Sequence, residues 1–139
     1  MITAVDTNVL IDVFGADEKF GRKSLAALRY WSQRGTLIAS DIVWVETATV
    51  FAQPRDCKSA MEKLGVEYSP LVPDAIWAAA DAWRHYRQNG GKRDRIASDF
   101  FVAAHALVQG ARLLSRNRGF YRTHFTALKI IDPSEDLLS

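Results

Sequence analysis

The chain is poor in the features that define several protein classes. It has one cysteine, Cys57, so no disulfide can form within it, which favours a reducing, cytoplasmic setting. Its three histidines, His85, His105 and His124, show no metal-ligand spacing among them. His105 lies in an apolar stretch and reads as a satisfied core histidine. No Gly-x-Gly-x-x-Gly run and no Gly-Lys-Ser/Thr turn occurs, which excludes the nucleotide-phosphate cradles built on those loops. There is no repeat, no low-complexity tract and no Pro/Gly-rich linker, hence no domain boundary. No apolar run approaches the roughly 20 residues that cross a bilayer, so no membrane partner is expected. The opening residues meet Asp6 without a basic stretch before an apolar one, unlike a secretory signal.

What is present is enough for one self-sufficient domain. A chain of 139 residues that is 48% apolar can bury a full core without a structural metal. The net charge of +2 is small but unevenly spread. From Trp83 to Tyr121 eight bases face two acids, a net of +6, which leaves −4 for the remainder. A basic segment on a nearly neutral domain suits a polyanionic partner, although charged residues also simply solvate surfaces.

Short apolar stretches alternate with helical patterns. Ile2–Val5, Leu37–Ala39, Val66–Tyr68, Arg112–Ser115 and Leu128–Ile131 read as strands. Helices are expected over Asn8–Phe14, Glu18–Arg34, a segment capped by Ser40 or Asp41 and running to Ala52, Asp56–Leu64, a segment capped by Asp74 and running to Gln88, Ile96–Val108, and a short Gly119–His124. The tryptophans Trp31, Trp44, Trp77 and Trp83 sit at helical spacing among apolar residues and read as core. Strands that are short and apolar on both faces, separated by helices, define an α/β fold with a five-stranded parallel sheet flanked by helices on both faces. The domain is expected to span residues 1–133, with 134–139 a loose C-terminal tail.

In an open parallel sheet, ligands bind beyond the carboxyl ends of the strands, near a switch point. That rule selects Asp6 after the first strand, Glu46 about one turn into the helix after the second, and Asn117 after the fourth. Asp99, at the start of the helix leading into the fourth strand, joins them if the first and fourth strands are neighbours. Glu46 lies among Val43, Trp44, Val45, Ala48 and Val50, and Asp99 between Ile96-Ala97 and Phe100-Phe101. A carboxylate in such surroundings is unfavourable by several kcal/mol unless a cation or donors offset it. Three such acids suggest a shared cation, and oxygen-only ligands favour Mg²⁺, with Mn²⁺ as a substitute. Each acid has a structural alternative. Asp6 could cap a helix, Glu46 could lie on a solvated face, and Asp99 could cap its helix or pair with Arg95. Asp12 reads as surface or salt-bridged, Asp41 as an N-cap and Asp94 as a surface partner of its arginine neighbours.

Four segments in order carry a resemblance over nearly the whole chain. They are Val5-Asp6-Thr7-Asn8-Val9-Leu10-Ile11-Asp12, Val45-Glu46, Ala97-Ser98-Asp99-Phe100-Phe101-Val102-Ala103-Ala104-His105-Ala106, and Leu113-Leu114-Ser115-Arg116-Asn117-Arg118-Gly119-Phe120-Tyr121. With these the chain resembles PIN-domain proteins, specifically the VapC-type toxins of type II toxin–antitoxin pairs. The resemblance implies a Mg²⁺-dependent endoribonuclease, a homodimer and a small antitoxin partner. Asp6, Glu46 and Asp99 match the three core acids, and Ser115 a usual Thr or Ser beside the site, with Thr7 and Asn8 in support. The family pattern has an acid where this chain has Asn117. Amide for carboxylate keeps a carbonyl ligand but removes one charge, which weakens a second metal position more than the first. Arg93, Arg95, Arg116 and Arg118 are the expected phosphate contacts. The competing reading is a non-catalytic RNA-binding module whose chemistry lapsed at Asn117. A phosphatase using Asp6 as nucleophile is disfavoured, since Asp6-Thr7-Asn8 lacks a second carboxylate two residues on.

Overall fold

The computed structural model describes residues 1–91 and 98–135. The elements run β1 (Ile2–Val5), α1 (Thr7–Phe14), α2 (Gly21–Ser32), β2 (Thr36–Ala39), α3 (Asp41–Ala48), α4 (Asp56–Leu64), β3 (Val66–Tyr68), α5 (Pro73–Gln88), α6 (Ser98–Gln109), β4 (Arg112–Leu114), α7 (Arg118–His124) and β5 (Ile130–Ile131). The strands form one sheet of order β3-β2-β1-β4-β5, and every pairing is parallel. The chain steps from β1 through β2 to β3, then crosses back to lay β4 on the other side of β1. Right-handed crossovers in opposite directions place helices on both faces. The α/β fold expected from the sequence is therefore the fold observed.

The inner strands are buried on both faces, as their unbroken apolar character requires. Ala4, Val5, Leu37, Ala39, Leu113 and Leu114 are almost fully enclosed. Val9 and Leu10 of α1, Leu28 of α2, Met61 of α4 and Phe100 and Ala103 of α6 close the core over them. The reversal of direction falls between β1 and β4, where Val5 pairs with Leu114. Asp6 and Ser115, the next residue of each strand, thus leave the sheet side by side.

Several boundaries differ from the sequence expectation, for local reasons. Helix α2 starts at Gly21 rather than Glu18, because the Asp17 carboxylate accepts the backbone N–H groups of Lys19 and Phe20 and holds a turn there. Helix α3 ends at Ala48 rather than Ala52, where the Thr49 hydroxyl donates to the Glu46 carbonyl. Its cap is Ser40, with Asp41 already in the first turn. At α5 the cap position belongs to Val72, with Pro73 as the first helical residue and Asp74 inside the turn. Trp77 is 63% exposed on α5, whereas Trp31, Trp44 and Trp83 pack against the core. Residues 96 and 97, expected to open α6, lie outside the described residues. Beyond Pro133, Ser134 donates to the Asp132 carboxylate, and Arg118 reaches Asp132 and Glu135. No helix among the described residues is long and apolar enough to cross a membrane.

Candidate active site at the carboxyl ends of β1 and β4

Asp6 is the centre of the rim. Its backbone N–H extends the sheet to the Leu114 carbonyl, 2.9 Å away. Its extended backbone makes it the N-cap of α1, where Oδ1 accepts from the Thr7 N–H at 2.8 Å. Capping does not exhaust the side chain. Oδ2 accepts from the Ser115 hydroxyl at 2.8 Å, the Tyr121 hydroxyl at 2.8 Å and the Asn8 amide at 3.3 Å. The capping alternative is therefore the one observed at Oδ1, while Oδ2 is held by the turn after β4 and by α7.

The supporting residues interlock. Asn8 Nδ2 also donates to Ser115 Oγ at 3.1 Å, and Asn8 Oδ1 accepts the Arg116 backbone N–H at 3.0 Å. Ser115 Oγ accepts the Asn117 N–H at 3.0 Å, so one hydroxyl orders both the carboxylate and the turn that carries Asn117. On the other flank the Thr7 hydroxyl donates to Glu46 Oε1 at 2.8 Å. The first turn of α1 thereby connects two acids 40 positions apart on different elements.

The Tyr121 hydroxyl donates to one of these acids, Asp6. Tyr121 of α7 is fully enclosed. Its phenol is held far above its ordinary range, first by burial and then by the negative charges of Asp6, Asp99 and Glu46. It therefore stays protonated and acts as a donor. Burial also pushes the Asp6 carboxyl up, against the opposing effect of its Ser115, Tyr121 and Thr7 donors. An enclosed acid whose ionised form is unfavourable despite good donors is chemically ready for a cation.

The donor set fits a hard divalent ion, being made of carboxylate, hydroxyl and amide oxygens. Among the described residues, however, no three carboxylate, imidazole or thiol groups stand close enough together to hold an ion in this arrangement. Both oxygens of Asp6 accept hydrogen bonds from the chain, and of the Asp6 and Glu46 oxygens only Glu46 Oε2 has no donor among the described residues. Among the described residues Glu46 accepts only at Oε1, and Asp6 Oδ1 accepts only from Thr7.

The four arginines are placed differently. Arg116 is engaged by Asp12, through Nε to Oδ2 at 2.7 Å and Nη2 to Oδ1 at 2.9 Å, and lies 4.0 Å over the Phe20 ring. Of the two readings of Asp12, surface or salt-bridged, the structure shows the salt-bridged one, with the side chain buried. Arg118 pairs with Asp132 and Glu135. Arg93 and Arg95 lie outside the described residues. A cleft of about 530 Å³ lined by Ala80, Trp83, Arg84, Arg87, Gln88 and Gly91 runs along α5, away from Asp6 and Glu46. Tyr121 is the residue that the sequence reading missed. Its signal was faint, a hydroxylated aromatic one helical turn beyond Asn117.

These features define an α/β domain with Asp6, linked through Thr7 to Glu46, at the switch point of a parallel sheet. The PIN domain family profile matches residues 3–126, and the chain belongs to the PIN-domain family. Comparison with curated protein sequences gives no match. Solved structures share the fold at low identity. VapBC-1 from nontypeable Haemophilus influenzae is 22% identical with a TM-score of 0.74, covering 97% of this chain and 100% of that one. VapBC2 from Rickettsia felis, bound to a DNA fragment from their promoter, is 17% identical with a TM-score of 0.73, covering 94% and 98%. A toxin–antitoxin complex from Klebsiella pneumoniae is 20% identical with a TM-score of 0.69, covering 96% and 99%.

Proposed function

We propose that this chain is a metal-dependent endoribonuclease, the toxin of a type II toxin–antitoxin pair of the VapBC kind. The observation that carries the reading is the buried Asp6 at the carboxyl ends of β1 and β4, joined through the first turn of α1 to Glu46. The PIN-domain match and the fold shared with VapBC complexes support the same class.

In this reading Asp6 and Asp99 hold Mg²⁺, or Mn²⁺ in its place, and Glu46 completes the set or serves as base. The ion, when bound, activates a water and offsets charge on the phosphodiester. The chain's own residues supply orientation. Thr7 fixes the Glu46 carboxylate, so that its other oxygen is available to take a proton from the attacking water. Asn117, carried on the Ser115-anchored turn, orients the water or a ligand without adding charge. Water adds to phosphorus, the P–O bond to the leaving nucleoside breaks, and the leaving oxygen takes up a proton.

RNA is the substrate class of this reading, and the cleft along α5 carries Arg84, which also pairs with Asp81, and Arg87. Arg93, Arg95, Arg116 and Arg118 are the phosphate contacts of this reading, with Arg116 and Arg118 released from their acids only at a cost. The partners are a small antitoxin protein and a second copy of the chain, and the setting is cytoplasmic.

The test is cleavage of structured RNA by purified protein with Mg²⁺, with EDTA, and by Asp99→Asn. Cleavage with Mg²⁺ alone, lost in the variant, supports the reading. Equal cleavage with EDTA or by the variant overturns it. RNA binding without cleavage establishes the non-catalytic alternative set by Asn117.

A further inference from the structure

The amino end of the sheet, opposite the Asp6 rim, holds a buried cation that pairs with no acid among the described residues. Arg112 opens β4 beside Thr3 of β1 and is 7% exposed. Its guanidinium carbon lies 4.3 Å from the centre of the Trp31 ring, near the end of α2. Nη1 donates to the Met1 thioether, a weak acceptor. Nε is enclosed and donates to nothing among the described residues, and the Trp31 Nε1–H is in the same condition.

A buried charge is costly unless partners offset it. A ring against the guanidinium face offsets part of that cost but takes up no N–H. Arg116 shows what the unused edge can do. Through Nε and Nη2 it holds both oxygens of Asp12, at 2.7 and 2.9 Å. Guanidinium and carboxylate are planar and match as two forks. The same edge of Arg112 has no acceptor among the described residues. We propose that Arg112, backed by Trp31, is a binding site for a carboxylate, carried by a small acid or a peptide side chain and held through Nε and Nη2.

A carboxylate brings one negative charge to one buried cation. Phosphate near neutral pH brings more, and the surplus would be desolvated without a partner. Entry requires little of the fold. Met1 is exposed and its side chain is unbranched, so it can leave Nη1 and uncover the guanidinium without disturbing the core. The Trp31 N–H offers a further donor from the ring that the guanidinium covers. Arg34, whose guanidinium lies 3.4 Å over the Tyr30 ring, adds a second cation at this end of the domain. The site stands at the opposite end of the strands from Asp6 and does not depend on the ribonuclease reading.

Titration of the full chain with sodium acetate in place of sodium chloride, at fixed ionic strength, tests this. The readouts are the Arg112 Nε–H resonance and the melting temperature. The resonance is expected to shift saturably, half-complete at millimolar acetate, the range open to so small a ligand. The melting temperature should rise with acetate in the parent, because the ligand binds only the folded chain. It should stay level in Arg112→Met and in Arg112→Lys, which keeps the charge but loses the fork. Arg112→Lys carries the test if Arg112→Met does not fold. In a second arm a glutamate peptide with blocked termini replaces acetate, and the lower half-saturation tells whether a protein side chain or a small acid is the better occupant. No shift of the Arg112 resonance in either arm, an equal shift with inorganic phosphate, or a melting response kept in Arg112→Lys overturns the inference.

Discussion

Arg116 grips Asp12 through two hydrogen bonds, and the grip is asymmetric in exposure. The Asp12 side chain is 4% exposed and that of Arg116 27%. The pair joins the turn after β4 to α1, while Ser24 of α2 donates to Asp12 Oδ2 at 2.9 Å. Removing the arginine strands a buried carboxylate, whereas removing the acid leaves a guanidinium that can reach water. Arg116→Ala is therefore expected to destabilise the fold by about 3 kcal/mol, the lower end for a broken buried pair, and Asp12→Ala by less. The double variant should recover part of the loss. Chemical denaturation of the three variants checks the ranking, and equal losses from both single changes would show that the pair is not desolvated.

Asn117 occupies the turn beside Ser115, half-buried, with no side-chain hydrogen bond to the helix it caps. Placing a carboxylate there adds a fourth negative charge to the rim. Charge count tunes cation affinity, so Asn117→Asp should lower the Kd for Mg²⁺ on the order of tenfold. Like-charge repulsion acts the opposite way in the metal-free protein, whose Tm should fall. The two opposite shifts are read by titration and by thermal melting with and without Mg²⁺. An unchanged Kd would place Asn117 outside the reach of the ion.

Thr7 is the link between the first turn of α1 and Glu46. Thr7→Val keeps the branched shape and removes the 2.8 Å bond. Stability should drop by only about 1 kcal/mol, the net worth of one hydrogen bond. RNA cleavage should fall by about 10- to 100-fold, as for other residues that orient ligands, with KM for RNA little changed. A variant that cleaves like the parent would show that Glu46 needs no such orientation.

The sheet was legible because it follows from local rules. Apolar runs bounded by helix signals specify strands, and the strand-end rule needs only their order. Asp6 sits at the end of β1, where that rule puts it, while Ser115, Thr7 and Asn8 were expected from the family resemblance and all bond within its neighbourhood. What was not legible depends on distant partners. Asp12 read as surface or salt-bridged, and the choice between the two was open because the arginine that draws it inward lies 104 positions away. Tyr121 gave no sign of its role because α7 is short and its direction is set by the tertiary path from β4. The late start of α2 and the early end of α3 came from side chains competing for backbone groups, at Asp17 and Thr49, which helical periodicity does not register.

His105 gives a pH dependence with a definite sign. It is almost fully buried on α6, with Nε2 3.0 Å from the Ser69 hydroxyl. Burial pushes its pKa below the ordinary 6.5, against smaller upward effects from Ser69 and the Asp41 charge. The unfolded chain therefore binds a proton near 6.5 that the folded chain resists. Between the two values the unfolded state carries more protons, so stability rises with pH there. The contribution is complete above 6.5 and is lost as pH falls through the lower, folded value. Asp6 acts in the opposite sense in metal-free protein. Its folded pKa is raised, so the folded chain binds the proton more tightly, and its contribution declines as pH climbs from 3.8 through the folded value. Subtracting a His105→Gln variant isolates the histidine, because glutamine can still bond Ser69 but does not titrate. Denaturation midpoints taken from about pH 8 down to about pH 5 should show the parent losing more stability than the variant below 6.5. Parallel curves would mean that His105 meets water before the fold opens.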